Sequence, residues 1–83
     1  MYKVVFTAKA RKQLIELPRL VAKRIVEKVD ELTADPFSQD IKKLTGMALY
    51  RFRVGDYRVI FDIKNDELLI LIVKVGHRKG IYK

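Results

Sequence analysis

The stretch Tyr50-Arg51-Phe52-Arg53-Val54-Gly55-Asp56-Tyr57-Arg58-Val59-Ile60-Phe61-Asp62-Ile63 decides the fold, because its polarity alternates with a period of two on both sides of a Gly-Asp pair. Residues 49–54 read as a strand with Tyr50, Phe52 and Val54 on one face and Arg51 and Arg53 on the other. Gly55-Asp56 is a tight turn, and residues 57–63 return with Tyr57, Val59, Phe61 and Ile63 on one face. Asn65-Asp66 makes a second turn. Residues 67–75 are nearly all apolar, the pattern of a central strand buried on both faces, and Gly76 ends the run. Two hairpins in series make these strands antiparallel to one another.

Upstream the period changes. Residues 2–7 are short, β-branched and aromatic, and predict a first strand, after which Thr7 can cap a helix. Across residues 8–17, Ala10, Leu14, Ile15 and Leu17 recur at helical spacing until Pro18 interrupts them. Across residues 19–32, Val21, Ile25, Val29 and Leu32 recur at steps of four, four and three, one apolar stripe with Arg24, Lys28 and Glu31 off it and facing water. Asp35-Pro36 marks the exit, and residues 37–46 read as a loop carrying Lys42 and Lys43. The expected architecture is a single α+β domain over residues 1–83: a first strand, a two-helix hairpin and an antiparallel three-strand meander. The helices pack on one face of the sheet and the arginines point from the other.

The composition limits the chemistry. A chain of 83 residues with 49% hydrophobic side chains supports one modest core and is too apolar for disorder. The longest apolar run, residues 68–73, is far short of the roughly 20 residues a membrane span needs, so no membrane association is expected. Nothing near Met1 reads as a targeting segment. Cysteine is absent, which excludes a disulfide scaffold, a thiolate metal site and a cysteine nucleophile, and fits a cytoplasmic protein. With a single histidine, neither a metal site nor a cofactor is expected.

The formal net charge is +8, and it is uneven. Residues 1–40 carry 8 basic and 6 acidic groups, whereas residues 41–83 carry 10 basic and 4 acidic groups. The meander half therefore holds most of the field and calls for a polyanionic partner. The hairpin brings Arg58 back beside Arg51 and Arg53. Guanidinium groups so close repel one another and add little stability alone, but their forks match phosphate oxygens. A solvated charged face is the plain alternative. The tail contributes His77, Arg78 and Tyr82, which the end of the buried last strand is expected to deliver to the edge of the arginine face. Singly, such residues are more often structural than chemical. Lys42, Lys43 and Lys79 fit general phosphate attraction. There is no Walker loop, Ser-His-Asp set or carboxylate pair on an obvious active face.

The segment Lys43-Leu44-Thr45-Gly46, the stretch of residues 50–58 and the ending Val75-Gly76-His77-Arg78-Lys79-Gly80-Ile81-Tyr82 together resemble the RelE/ParE toxin superfamily, and the RelE branch more closely. The resemblance spans essentially the whole chain. It implies the toxin of a type II toxin–antitoxin pair, bound by an acidic cognate antitoxin, with operator DNA a further candidate partner of the complex. It also implies a metal-independent endoribonuclease that enters the ribosomal A site and cuts mRNA by attack of a ribose 2′-oxygen on the adjacent phosphate.

By position, Arg51 and Arg53 match the basic pair of the first meander strand, and Arg58 matches the arginine that holds the scissile phosphate. Arg78 matches the arginine at the last strand's exit, and Tyr82 the tyrosine that stacks on or orients the substrate base. The family's basic pair is usually lysine, one of which is a candidate general base, and arginine is a poor proton acceptor. His77 is the side chain suited to that task, since histidine titrates near neutral pH, and some RelE-like relatives use a tail histidine. A hydrogen bond from His77 to phosphate or to the loop is the alternative role. Two other functions are compatible with the same residues: a ParE-like inhibitor of DNA gyrase, and a non-catalytic basic module that binds nucleic acid.

Overall fold

The computed structural model describes residues 1–37, 41–44, 46 and 48–77. Strand β1 (Lys3–Phe6) leads into helix α1 (Ala8–Ile15) and helix α2 (Arg19–Ala34). Strands β2 (Lys42–Lys43), β3 (Tyr50–Val54), β4 (Tyr57–Lys64) and β5 (Leu69–His77) follow, with a single 3-10 turn over Asn65–Glu67. The sheet order is β1-β5-β4-β3-β2. β1 runs parallel to β5, and the remaining neighbours are antiparallel. No helix among the described residues is long and apolar enough to cross a membrane.

The helical stripe read from the sequence is buried at Ile25, Val29 and Leu32 and half-buried at Val21. Ile25, Val29 and Leu32 of α2, with Ala10 of α1, pack on Phe52, Val59, Phe61, Ile70, Ile72 and Val75 of the sheet. Apart from Ala10, each such side chain contributes about 1.5–3 kcal/mol by leaving water. Tyr50 stacks on Phe61 at 5.9 Å between ring centroids, and Phe52 meets the same ring at 5.9 Å, so an aromatic layer underlies the β3–β4 hairpin. Lys28 departs from the expectation. Its side chain is only 18% exposed, and the ammonium lies 4.0 Å from Glu31.

The hairpin turn sets the register of the arginines. Val54 pairs with Tyr57, so Gly55 and Asp56 are the two loop residues. Of these only Gly55 has a positive φ, +59°, the requirement at the first loop position of a II′ turn. The closed turn brings Arg53 directly opposite Arg58.

The last strand corrects the sequence reading. Residues 67–75 read as buried on both faces and stopped by Gly76, yet β5 begins at Leu69 and continues through Gly76 to His77. Glu67 belongs to the 3-10 turn, and Leu68 closes that turn in the left-handed region with a φ of +50°. Only Ile70, Ile72 and Val75 are buried. The spacing changes from two to three because β5 carries a bulge: Ile60 pairs with Lys74 and Phe61 with Ile72, leaving Val73 as the extra residue. Regular alternation would put Lys74 in the core. The bulge turns it out.

The bulge is held from the helical side. β1 pairs with β5 only as far as Ile72. Beyond that point the Thr7 amide donates to the Ile72 carbonyl at 3.0 Å, and the Thr7 hydroxyl donates to the Val73 carbonyl at 3.2 Å. The same hydroxyl accepts from the Ala10 amide at 3.1 Å, so Thr7 caps α1 as its sequence position suggested. One turn on, the Gln13 side-chain carbonyl accepts from the Val75 amide at 2.9 Å. Thr7→Ala removes a helix cap and a bulge contact together, and Gln13→Met leaves the amide of a residue that is 1% exposed without its acceptor. Each is expected to lower unfolding free energy by about 1–2 kcal/mol in urea titrations. Ile15→Ala, at a side chain 76% exposed, is expected to stay within about 0.5 kcal/mol of the parent. Unchanged stability in Gln13→Met would show that the β5 edge does not depend on α1.

Candidate nucleic-acid interface

Strand pairing decides which basic side chains share a face. Phe52, Val59 and Val75 are buried beneath the helices, so their neighbours Arg51, Arg53, Arg58 and Lys74 project from the opposite face. One row crosses four strands as Lys42, Arg51, Ile60 and Lys74. The next row holds Arg53, Arg58 and Gly76. With strands roughly 4.8 Å apart, the first row spans about 14 Å.

Burial fixes this face as well as charge. Ile60 is only 4% exposed although it points away from the helices and lies outside the core cluster. Its cross-strand neighbours Arg51 and Lys74 are themselves half-buried, so their aliphatic stems are placed to cover it while their heads reach water. Arg58 is half-buried, with its Nε shielded from solvent, whereas Arg53 is exposed. Asp62, the acid on this face, lies 3.4 Å from the Lys64 ammonium two residues along the strand. Among the described residues, Lys42, Arg51, Arg53 and Lys74 have no ion-pair partner. The cations are thus gathered and largely left uncompensated by the chain. No group of three or more His, Cys, Asp or Glu side chains suited to a metal ion occurs among the described residues.

The structure separates some residues that the sequence grouped. Lys43 pairs with Tyr50, so it lies on the helix-side face, and only Lys42 of that lysine pair faces with the arginines. His77 pairs with Tyr57, and the two rings meet edge to face at 5.5 Å. Tyr57 shares the face of Val59 and Phe61, which puts His77 at the end of the helix-side face, behind the arginines. The expectation that the strand end delivers His77 to the edge of the arginine face does not hold, because the strand runs past Gly76 and alternation carries His77 to the helix side. Arg78, Lys79 and Tyr82 lie outside the described residues. Lys74 was missed altogether. Its signal was a lysine inside an otherwise apolar run, where a regular strand leaves it no dry place to go.

Comparison with known proteins agrees with this fold. The profile of the ParE toxin of the type II toxin–antitoxin system parDE matches residues 4–82. Toxin RelE3 of Methanocaldococcus jannaschii is 35% identical over 85 residues, spanning 96% of this chain and 94% of its own length. Toxin RelG of Mycobacterium tuberculosis is 30% identical over 86 residues, spanning 99% and 97% of the two chains. Among solved structures, the archaeal RelE-RelB complex from Pyrococcus horikoshii superposes with a TM-score of 0.83 at 34% identity, covering 95% of this chain and 97% of that one. The RelBE2 toxin–antitoxin complex of M. tuberculosis gives a TM-score of 0.83 at 30% identity, covering 93% and 98%. Backbone superposition and sequence agree over nearly the whole length, and the chain belongs to the RelE/ParE family of toxins of type II toxin–antitoxin systems.

Proposed function

We propose that this toxin is a ribosome-dependent endoribonuclease that cuts mRNA at the arginine face. The observation that carries the reading is the set of Arg51, Arg53 and Arg58 on one exposed sheet face, with Arg53 and Arg58 directly opposite each other. Like charges in that register destabilise a sheet unless an anion lies between them. A phosphodiester supplies that anion, and it gains negative charge as the reaction proceeds.

In the proposed step the ribose 2′-oxygen forms a bond to the adjacent phosphorus and the bond from phosphorus to the 5′-oxygen breaks. The products are a 2′,3′-cyclic phosphate and a 5′-hydroxyl. The 2′-OH proton passes to water, and the leaving oxygen takes one up. Arg53 and Arg58 hold the non-bridging oxygens, with Arg51 beside them along β3, and all stabilise the crowded phosphorus centre. Fixed, always-charged guanidinium groups suit this task better than proton transfer. His77 stands behind the sheet end with Tyr57, so in this reading it positions a base or ribose at the edge and is not the proton acceptor. Arg78 and Tyr82 complete the substrate contacts from the tail, and Lys79 adds phosphate attraction.

The partners follow the same electrostatics. The relatives whose structures are RelB–RelE complexes carry a RelB-type antitoxin, and a net +6 on residues 41–83 suits an acidic one here. Such an antitoxin covers or reshapes the arginine face and silences the toxin. Operator DNA is the proposed target of the assembled pair.

Single-turnover cleavage on programmed ribosomes tests the assignment. Arg58→Ala and the fold-neutral Arg53→Gln are each expected to lose about 10²-fold or more in rate, with circular dichroism unchanged. His77→Gln is expected to remain within about tenfold of the parent. Full activity in a folded Arg58→Ala protein would remove the arginine pair from the mechanism. A loss of about 10²-fold in His77→Gln would return the proton transfer to His77.

A further inference from the structure

We infer that Lys74 is a second phosphate-holding residue of the same face, and that the RNA therefore crosses the sheet from the β3–β4 hairpin toward β5. The inference rests on the RNA-cleaving reading given above and extends it to the path of the substrate.

Three observations converge on Lys74. The β5 bulge places it on the arginine face, where unbroken alternation from Ile70 and Ile72 would have buried it. Bulges that re-aim one side chain are common beside functional sites, since they give up ladder regularity. Second, Lys74 has no ion-pair partner among the described residues, while the neighbouring Asp62 is engaged by Lys64. Lys74 is half-buried as a residue, its stem lies along the sheet, and its ammonium meets no carboxylate of the described chain, so the position is open to an external anion. Third, the placement is suited to RNA. Arg58 faces Gly76, and Lys74 is two residues from Gly76 along β5, which makes it the diagonal neighbour of Arg58. Such neighbours are about 7–8 Å apart. That separation is too wide for one phosphate to be gripped equally by both backbone positions, and it suits successive phosphates of one strand. Ile60 lies between Arg51 and Lys74 in one cross-strand row, so the spacing of the two positions is built into the sheet register.

A purely structural role for Lys74 would consist in covering Ile60 with its stem. Lys74→Met keeps the stem and removes the charge, and Lys74→Arg restores the charge. Single-turnover cleavage on ribosomes programmed with a defined mRNA is followed against toxin concentration and against potassium chloride. For Lys74→Met, half-saturation is expected at about tenfold higher toxin concentration, with a much smaller change in the saturated rate. The slope of log affinity against log salt is expected to fall by about 1, and Lys74→Arg is expected to recover both. An unchanged salt slope in folded Lys74→Met overturns the inference while leaving the nuclease reading standing. If the parent protein cuts no mRNA, the nuclease reading fails. Binding of the same variants to a single-stranded oligoribonucleotide then decides Lys74 alone: an unchanged slope overturns it, and a reduced slope keeps it as an RNA contact.

Discussion

The fold depends on the grip of α1 on the end of β5. Beyond Ile72 the central strand has lost β1 as a partner, and its edge would be left with open hydrogen-bonding groups. Thr7 and Gln13 supply those partners, one through its hydroxyl and one through its side-chain carbonyl. The two contacts flank the bulge at Val73, on the Val73 carbonyl and the Val75 amide. They therefore fix a change of phase in the middle of the strand. Ile70, Ile72 and Val75 all reach the core, and Lys74 does not. The helix hairpin buries apolar surface and also determines which side chains the far face of the sheet presents.

That far face works against stability. Arg53 sits opposite Arg58, and Lys42 opposite Arg51, so like charges meet across consecutive strands. The repulsion is offset on the other side of the same strands, where Phe52 and Phe61 are buried and Tyr50 stacks against the Phe61 ring. The sheet thus separates two tasks. One face supplies cohesion. The other holds positive charge in a fixed array, which is what low reorganisation on meeting the proposed phosphate requires. Arg51 and Lys74 belong to both tasks, since their stems shelter Ile60 and their heads remain available to an anion.

Much of this was legible in the sequence. The alternation through Arg51, Phe52 and Arg53 and the Gly55-Asp56 turn are local signals, and they specified the hairpin and the arginine face correctly. The stripe Ile25, Val29 and Leu32 is equally local and gave the buried side of α2. What escaped was non-local. The parallel pairing of β1 with β5 joins residues far apart in the chain, and no short pattern encodes it. The bulge depends on Thr7 and Gln13, which lie more than sixty residues from their partners. Without it an apolar run looks buried on both sides, Lys74 has no place, and His77 is assigned to the wrong face.

The activity proposed for the arginine face is cleavage of RNA on the ribosome. The most direct measurement is to incubate the toxin with translating ribosomes and, in parallel, with DNA gyrase and supercoiled DNA, and to analyse the nucleic-acid ends. The expected result is mRNA cut within the A-site codon, ending in a 2′,3′-cyclic phosphate upstream and a 5′-hydroxyl downstream, with gyrase unaffected. Intact mRNA together with trapped gyrase–DNA breaks would contradict it.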